Sequence, residues 1–157
     1  VNPIIDRIQL GRVAVRAFDI PHDAAAPVGY IIQGTSRCVV ATDIGNVDDR
    51  LQQMLEGAQV LVLEANHDEE MLKQGSYPYN LKQRILGPLG HLSNRRMAQV
   101  VAELRRRPQK LILAHLSESN NRPELAMDTV KSVFDSYGIN NMEIYMTAQN
   151  HSTSVDF

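Results

Sequence analysis

The sequence has one cysteine, no tryptophan and few aromatic residues, which make up 5% of its 157 residues. A single cysteine, Cys38, excludes an internal disulfide framework. The formal net charge is only -2, so no excess of one sign draws the whole protein to nucleic acid or to an anionic membrane. No apolar run approaches the roughly 18 residues needed to span a bilayer. These absences exclude disulfide-rich, strongly basic and membrane-spanning classes of protein.

The sequence does contain enough apolar residues for a core. Hydrophobic residues account for 43% of the chain, which suits a globular domain of ordinary size. Nothing resembles a signal peptide, and we therefore expect a soluble cytoplasmic protein with no membrane partner. The sequence starts at Val1, without an initiator methionine, in what has the pattern of ordinary domain sequence. We expect residues 1–157 to form one partial domain.

Strand patterns and helix patterns alternate along the chain, without a linker or a repeat. Partial alternation, a hairpin signal around Gly-Thr-Ser and near-continuous apolar runs predict six strands. These are residues 8–19, 28–33, 37–42, 58–66, 111–117 and 142–148. Helices are predicted from an Asn46 cap to about Gly57, within residues 94–107, and after Asn121 from Pro123. Strands followed by helices favour a layered architecture.

Three predicted strands end at candidate metal ligands. His22 follows the first strand in PHDAAAPVGY, Asp43 follows a strand in VVATDIGN, and His115 follows a strand in LILAHLSE. Rigid strands position the residues of the loops that follow them, so these side chains are candidates for one site. Two imidazoles and a carboxylate suit zinc, manganese or iron, and the carboxylate can bridge two ions. Taken singly, each residue has an ordinary alternative: a hydrogen-bonded histidine or an aspartate in a turn.

Two further residues, Glu64 and His91, extend this set. Glu64 ends the apolar run in LVLEANHDEEML, and the acidic residues after it suit the solvated first turn of a helix. His91 follows two glycines in GPLGHLSN, shortly before a predicted helix cap at Ser93. A histidine at such a junction either belongs to the cap or acts as a general acid at a neighbouring centre, because an imidazole ordinarily titrates near neutrality.

The order of these motifs carries a family resemblance. In this order and spacing, PHDAAAPVGY, ATDIGNV, LVLEANHDEEML, GHLSN and LAHLSESNNRPELA resemble the C-terminal part of metallo-β-lactamase-fold hydrolases of the YycJ (WalJ) type. A more distant similarity is to the tRNA-processing enzyme RNase Z, in which comparable motifs occur in the same order. The resemblance covers about Phe18 to about Ala148 and implies an α+β fold, the αβ/βα sandwich of that family.

The resemblance also implies a role for each candidate residue. His22 and His115 would each complete the coordination of one of two divalent metal ions, zinc, manganese or iron, and Asp43 would bridge both ions. Glu64 and His91 correspond to the glutamate and histidine that form a proton-delivery pair in RNase Z. The implied reaction is metal-assisted phosphodiester hydrolysis. The implied substrate is nucleic acid, with 5′-to-3′ exonuclease action on DNA as the implied activity.

One signature of that fold is absent from the sequence. An HxHxDH motif supplies most of the remaining metal ligands, and here no two of the five histidines lie two residues apart. The absent part corresponds to the N-terminal half of the fold. We therefore expect that half to be a partner, on a longer polypeptide or a separate chain, and this chain alone to be inactive. The alternatives are a related hydrolase of RNA or of a small ester, and a degenerate, non-enzymatic α/β binding domain.

Basic residues near the proposed site are candidate contacts for a phosphate backbone, with ordinary solvated helix surface as the alternative. They are Lys82, Arg84, Arg95 and Arg96. The motifs give no role to His151, near the C-terminus in QNHSTS, and we expect it to be a surface residue.

Overall fold

The computed structural model of the protein describes residues 7–148 and 152–156, and the predicted surface residue His151 lies outside them. The described strands form one sheet whose spatial order follows the chain: β1 (Ile8–Leu10), β2 (Val13–Asp19), β3 (Val28–Gln33), β4 (Arg37–Ala41), β5 (Val60–Glu64), β6 (Lys110–Ala114) and β7 (Glu143–Met146). The described helices are α1 (Asp49–Leu55), α2 (Glu69–Gln74), α3 (Tyr79–Leu86), α4 (Asn94–Glu103) and α5 (Pro123–Ser136). Within these ranges no helix is long and apolar enough to cross a bilayer.

The sheet is antiparallel in its first part and parallel in its second. β1 to β4 pair antiparallel through short turns, whereas β4 to β7 pair in parallel. Parallel neighbours need a crossover connection, and helices supply it: α1 before β5, α2 to α4 before β6, and α5 before β7. The continuous apolar runs predicted as buried strands are β5 and β6.

The two faces of the sheet differ in how well they are covered. On one face Val39, Leu61 and Leu111 lie side by side across the strands, completely buried in the core shared with α4 and α5. The opposite face presents a row of partly exposed side chains in register across five strands, which we call the open face. The row is Tyr30, Val40, Val62, Ile112 and Tyr145.

Several predicted boundaries are wrong, and two of the differences have a direct physical cause. The single strand predicted at residues 8–19 is two strands, β1 and β2, because the chain reverses at Gly11, whose φ of 59° is the left-handed conformation that glycine adopts readily. Asn46 does not cap the first helix. Asp48 does, since its side chain accepts a hydrogen bond from the Leu51 N–H (2.8 Å), and α1 ends at Leu55, before Gly57.

The short helix α3 has no counterpart among the sequence predictions. It contains no buried residue, and Pro78 at its N-cap makes no side-chain cap hydrogen bond. Because α3 lacks both a fully buried face and a capping side chain, neither of the usual helix signals marks it. It lies beside the loop that carries His91.

Candidate metal centre

The strands that precede the candidate residues all end at one edge of the sheet. β2 and β4 are both antiparallel to β3, and β5 and β6 are parallel to β4, so these four strands run in the same direction. Their carboxyl ends therefore place four of the predicted side chains next to one another. These are His22, Asp43, Glu64 and His115. His91 joins them from the loop before α4, so the structure brings all five together.

The Asp43 carboxylate lies between three imidazoles. Its Oδ1 atom is 3.7 Å from Nε2 of His22, 3.6 Å from Nδ1 of His115 and 4.0 Å from Nδ1 of His91. The second oxygen, Oδ2, accepts a hydrogen bond from the Thr42 hydroxyl (3.0 Å). One oxygen of Asp43 thus lies close to all three rings, nearest to Nε2 of His22 and to Nδ1 of His91 and His115.

Asp43 and His115 share an unusual backbone conformation. Their φ angles are 61° and 56°, and they are the described non-glycine residues with positive φ. A left-handed backbone outside glycine costs about 1–3 kcal/mol and persists only where the surroundings fix it, most often at functional sites. Both residues come just after a parallel strand, and the left-handed turn bends the chain there while the side chain stays in the site.

Glu64 is completely buried and uses both carboxylate oxygens as hydrogen-bond acceptors. Oε1 accepts from Nδ1 of His91 (2.7 Å) and from Nδ1 of His115 (2.8 Å). Oε2 accepts from the backbone N–H groups of Ile44 (2.8 Å) and Leu92 (3.3 Å). Four donors therefore compensate the burial of one carboxylate and hold two imidazoles side by side.

These contacts shift the pKa of two groups in the site. Burial by itself raises the pKa of Glu64, but the hydrogen bonds from His115, His91 and the Ile44 N–H outweigh it and the pKa lies below its ordinary value. The hydrogen bond to Glu64 raises the pKa of His115, against the opposite effect of burial. Glu64 is therefore a buried anion that orients its two histidine partners.

His22 is oriented through a backbone carbonyl. Its Nδ1 atom lies 3.1 Å from the Gly90 carbonyl oxygen, which accepts a hydrogen bond when the proton is on Nδ1. Nε2 then keeps its lone pair and faces Asp43. The same tautomer in His91 and His115, with Nδ1–H donating to Glu64, leaves their Nε2 lone pairs available as well. Histidines that ligate metals ordinarily donate their other ring N–H to a carboxylate or a backbone carbonyl in this way.

The donor set fits a divalent transition metal. Among the described residues, Asp43, Glu64, His91 and His115 each have one ligand atom within 4.8 Å of those of the other three. Imidazole nitrogens with carboxylate oxygens suit zinc, manganese or iron. His22 stands outside this group but next to Asp43. The metal and proton-transfer roles assigned to the five residues remain predictions.

A cleft of about 390 Å³ opens onto these side chains. Its far wall comes from α3 and the segment before it, through Tyr77, Leu81 and Arg84. Arg84 is largely exposed, and its Nε donates a hydrogen bond to the Asp23 carboxylate beside His22. This bond lowers the pKa of Asp23. The cleft therefore has a cationic residue on the wall that faces the candidate ligands.

The basic residues predicted as phosphate contacts are not equivalent. Arg84 alone among the four lines this cleft. The Lys82 amine donates to the Lys73 carbonyl at the end of α2 (2.7 Å), and Arg95 lines a separate acidic depression. Arg96 lies 4.0 Å from Glu103 on its own helix. Their role as phosphate contacts stays a prediction, which the geometry favours for Arg84.

Buried amides behind the site were not predicted. Asn66, Asn94 and Asn121 are all at most 8% exposed, and they hydrogen-bond to one another or to the strand ends that carry the candidate ligands. Their only sequence signal is an asparagine close to the end of an apolar strand or close to the start of a helix, which the ordinary turn and cap preferences of asparagine also produce.

The family described as beta-lactamase superfamily domain matches residues 3–116 of the chain. The exodeoxyribonuclease YycJ of Bacillus anthracis is 41% identical over 130 residues, which are 82% of this chain and 49% of that protein. The chain therefore spans about half the length of this curated relative.

Solved structures show the same fold. The metallo-beta-lactamase fold protein YhfI from Bacillus subtilis superposes with a TM-score of 0.63 at 15% identity, over 90% of this chain and 49% of that one. The short form of human tRNase Z, ELAC1, superposes with a TM-score of 0.57 at 14% identity, over 97% of this chain and 48% of that one. At such identities the likeness concerns the fold alone.

Proposed function

This chain belongs to the family of beta-lactamase superfamily domains, and from that premise we propose that it forms part of a metal-dependent hydrolase of DNA phosphodiesters. The resemblance seen in the motifs and the predicted α+β metallo-β-lactamase fold are both confirmed. The observation that carries the proposal is the position of Asp43 Oδ1, within 4.0 Å of three histidine rings at one edge of the sheet.

The proposed metal ligands are His22, Asp43 and His115. Asp43 would be shared by two divalent ions, and each histidine would bind one ion. When bound, such ions supply Lewis-acid stabilisation of phosphoryl oxygens and activate water for attack. The chain's own contribution is to fix the imidazoles through Gly90 and Glu64, so that the lone pairs are oriented before an ion arrives.

His91 and Glu64 form the proposed proton-delivery pair. His91 donates Nδ1–H to the buried Glu64 carboxylate, and a proton on Nε2 would then pass to the oxygen that leaves when the phosphodiester is cleaved. The hydrogen bond to Glu64 fixes the orientation of the His91 ring, with Nε2 on the side of the ring away from Nδ1. The side chain of His91 is 21% exposed, so it is accessible from the cleft.

The shape of the surface favours a polymeric substrate. A second cavity of about 670 Å³ shares His115, Leu116 and Ser117 with the cleft, so open space continues past the candidate ligands. Arg84 supplies a cationic contact on the cleft wall. DNA is proposed as the substrate because the relative from Bacillus anthracis is named an exodeoxyribonuclease. The 5′-to-3′ direction is proposed from the motif resemblance alone. A cytoplasmic location belongs to the same proposal.

The proposal includes a second half of the same fold as the partner of this chain. The chain offers three proposed metal ligands, whereas a zinc ion ordinarily takes three or four protein ligands by itself. The open face, with Val40, Val62 and Ile112 only half-buried, is the apolar surface that such a half would cover. We call the assembly of this chain with that half the complete domain.

A hydrolysis assay on the complete domain tests the proposed function. We expect Mn²⁺- or Zn²⁺-dependent release of mononucleotides from DNA labelled at either end, with the 5′ label released first. The variant His115→Ala should abolish turnover, and Lys131→Ala, on the exposed side of α5 and outside the cleft, should leave it within about twofold. If the complete domain hydrolyses RNA or small esters but leaves DNA uncleaved, the substrate assignment is overturned. Activity without a metal ion would overturn the mechanism.

A further inference from the structure

Asn66 connects the two loops that carry His91 and His115. Its backbone N–H donates to the Leu92 carbonyl (3.0 Å), next to His91. Its backbone carbonyl accepts from the Ser117 N–H (2.8 Å), and its side-chain amide donates to the His115 carbonyl (3.1 Å). The residue is 8% exposed and lies two positions after Glu64, whose carboxylate holds both imidazoles.

The hydrogen bond from the Asn66 side chain is made to His115, the residue with the left-handed backbone. His115 has a φ of 56°, a conformation that the protein must impose, and the hydrogen bond from Asn66 Nδ2 binds its carbonyl directly. On the preceding peptide, the Ala65 N–H donates to the Ala114 carbonyl (2.9 Å), which completes the pairing of the two strand ends. The peptide groups on both sides of the His115 Cα atom are thus tied to residues 65 and 66.

A buried amide pair supports Asn66 from behind. Asn94 Nδ2 donates to Asn121 Oδ1 (2.9 Å), and Asn121 Nδ2 donates to Asn94 Oδ1 (2.8 Å). Asn121 Nδ2 also lies within hydrogen-bond distance of the Ala65 carbonyl (2.9 Å) and the Asn66 carbonyl (3.0 Å). The pair joins the first residue of α4 to the residue two positions before α5, and both are at most 5% exposed.

We propose that Asn66 is a positioning residue that holds His115 in its left-handed conformation, with the Asn94–Asn121 amide pair holding Asn66. Asn66 acts through the His115 backbone and is not assigned a contact with substrate or metal. The connection sets the distance between the His115 ring and the His91 ring, which share one oxygen of Glu64. This inference rests on the proposed metal site for its consequence in catalysis, but its structural content concerns this chain alone.

The side chain of Asn120 offers a matched control. It is 2% exposed, belongs to the same loop as Asn121, and its Nδ2 has no hydrogen-bond partner among the described residues. Asn66→Ala and Asn120→Ala therefore both delete a buried amide near the site, but only Asn66→Ala removes a hydrogen bond to His115. An effect that comes only from lost packing should therefore be similar in the two variants, whereas an effect of the lost hydrogen bond should appear in Asn66→Ala alone.

The first measurement needs no metal. Backbone ¹³C chemical shifts of residue 115 report its φ angle in the metal-free protein. Asn66→Ala should move these shifts away from the left-handed range, whereas Asn120→Ala should retain them. Left-handed shifts at residue 115 in Asn66→Ala, the same as in the wild type, would overturn the proposal, whether or not the protein binds metal.

The second measurement is zinc affinity of the complete domain in a double-mutant cycle. Asn66→Ala should weaken binding about 10- to 100-fold, which is typical of residues that orient a metal ligand. In a His115→Ala background the same change should have little further effect, because the group it positions is gone. An equal loss in both backgrounds would contradict the proposal. A wild type without zinc affinity would refute the proposed metal site, and the chemical shifts alone would then decide the positioning role.

Discussion

At the scale of single residues, His91 and His115 illustrate how one carboxylate can serve two different tasks. Both rings donate to the same oxygen of Glu64, yet His115 carries the strained backbone and His91 does not. The resemblance assigns metal binding to His115 and proton delivery to His91. Because the two histidines have similar surroundings, only their separate replacement distinguishes these tasks.

Replacing each histidine by alanine in the complete domain should separate kcat from metal affinity. His91→Ala should lower kcat about 100- to 10,000-fold, the usual contribution of proton transfer, while metal affinity changes far less. His115→Ala should lower metal affinity itself. Calorimetric titration with zinc and steady-state kinetics measure the two effects, and equal metal loss in both variants would show that the roles are wrongly assigned.

His67 makes the stability of the fold sensitive to acid. The side chain is 1% exposed, and neither ring nitrogen has a hydrogen-bond partner among the residues that the structure describes. Burial lowers the pKa of His67 from 6.5 to about 4, and the nearby carboxylates of Glu64 and Glu69 offset this only in part. Between these values the unfolded chain binds a proton that the folded protein excludes, so stability falls as the pH falls.

Removing the imidazole should therefore reduce the acid sensitivity. Between about pH 7 and about pH 4.5, wild type should lose about 2 kcal/mol more unfolding free energy than His67→Phe, which keeps a ring without buried nitrogens. Denaturant titrations of both proteins, with a metal chelator present and at both pH values, measure this difference. The other histidines contribute equally to the two proteins, so their contribution to the difference cancels. Parallel stability curves for the two proteins would contradict a buried neutral His67.

At the scale of elements, two glycines allow the ligand-bearing loops to pack closely. A Cβ atom built on Gly90 would lie 2.1 Å from the Ile85 carbonyl oxygen, and one on Gly45 would lie 2.4 Å from the Gly90 nitrogen. The first loop carries His91 and the carbonyl that orients His22, and the second follows Asp43. Any larger residue must therefore shift the backbone of the site.

Gly90→Ala is expected to impair the site through this backbone shift. It should lower kcat/KM of the complete domain at least about tenfold, because misplacement of catalytic groups by about 1 Å is already costly. Gly34→Ala is the control, since its Cβ would lie 3.7 Å from Val13 at ordinary contact distance and far from the site. Wild-type kinetics in Gly90→Ala would refute the close-packed loop arrangement.

Whether a helix or strand could be predicted from the sequence depends on how deeply it is buried. Strands such as β5 and β6 were predictable because a strand buried between layers needs a continuous apolar run. α3 was not, because it has no buried face. The convergence of Asp43 and His115 followed from strand direction, but the left-handed backbone at both residues and the amide connection through Asn66 depend on contacts between distant segments, which no local pattern encodes.

At the scale of the whole molecule, the open face sets the behaviour of the isolated chain. Tyr30 is 44% exposed at one end of the row, and Val62 is half-buried at its centre. An apolar surface of this kind favours association. The chain without its proposed second half should therefore form oligomers. It should also be hydrolytically inert, because it offers only three proposed metal ligands.

Light scattering after size-exclusion chromatography tests this expectation. Val62→Lys should shift the chain toward the monomer, because it places a charge at the centre of the open face. Leu86→Lys changes another apolar side chain, 45% exposed on α3, and should leave the association unchanged. A monomeric wild-type chain, or equal effects of the two substitutions, would contradict the assignment of this face as a covered interface.

The most direct test of the metal centre is anomalous X-ray scattering from crystals of the complete domain grown with zinc or manganese. We predict two peaks about 3.5–4 Å apart, each at about 2.0–2.2 Å from the Asp43 carboxylate. One ion should also bind His22, and the other His115. Ions bound elsewhere, with no peak at Asp43 in a preparation that hydrolyses DNA, would contradict the central claim.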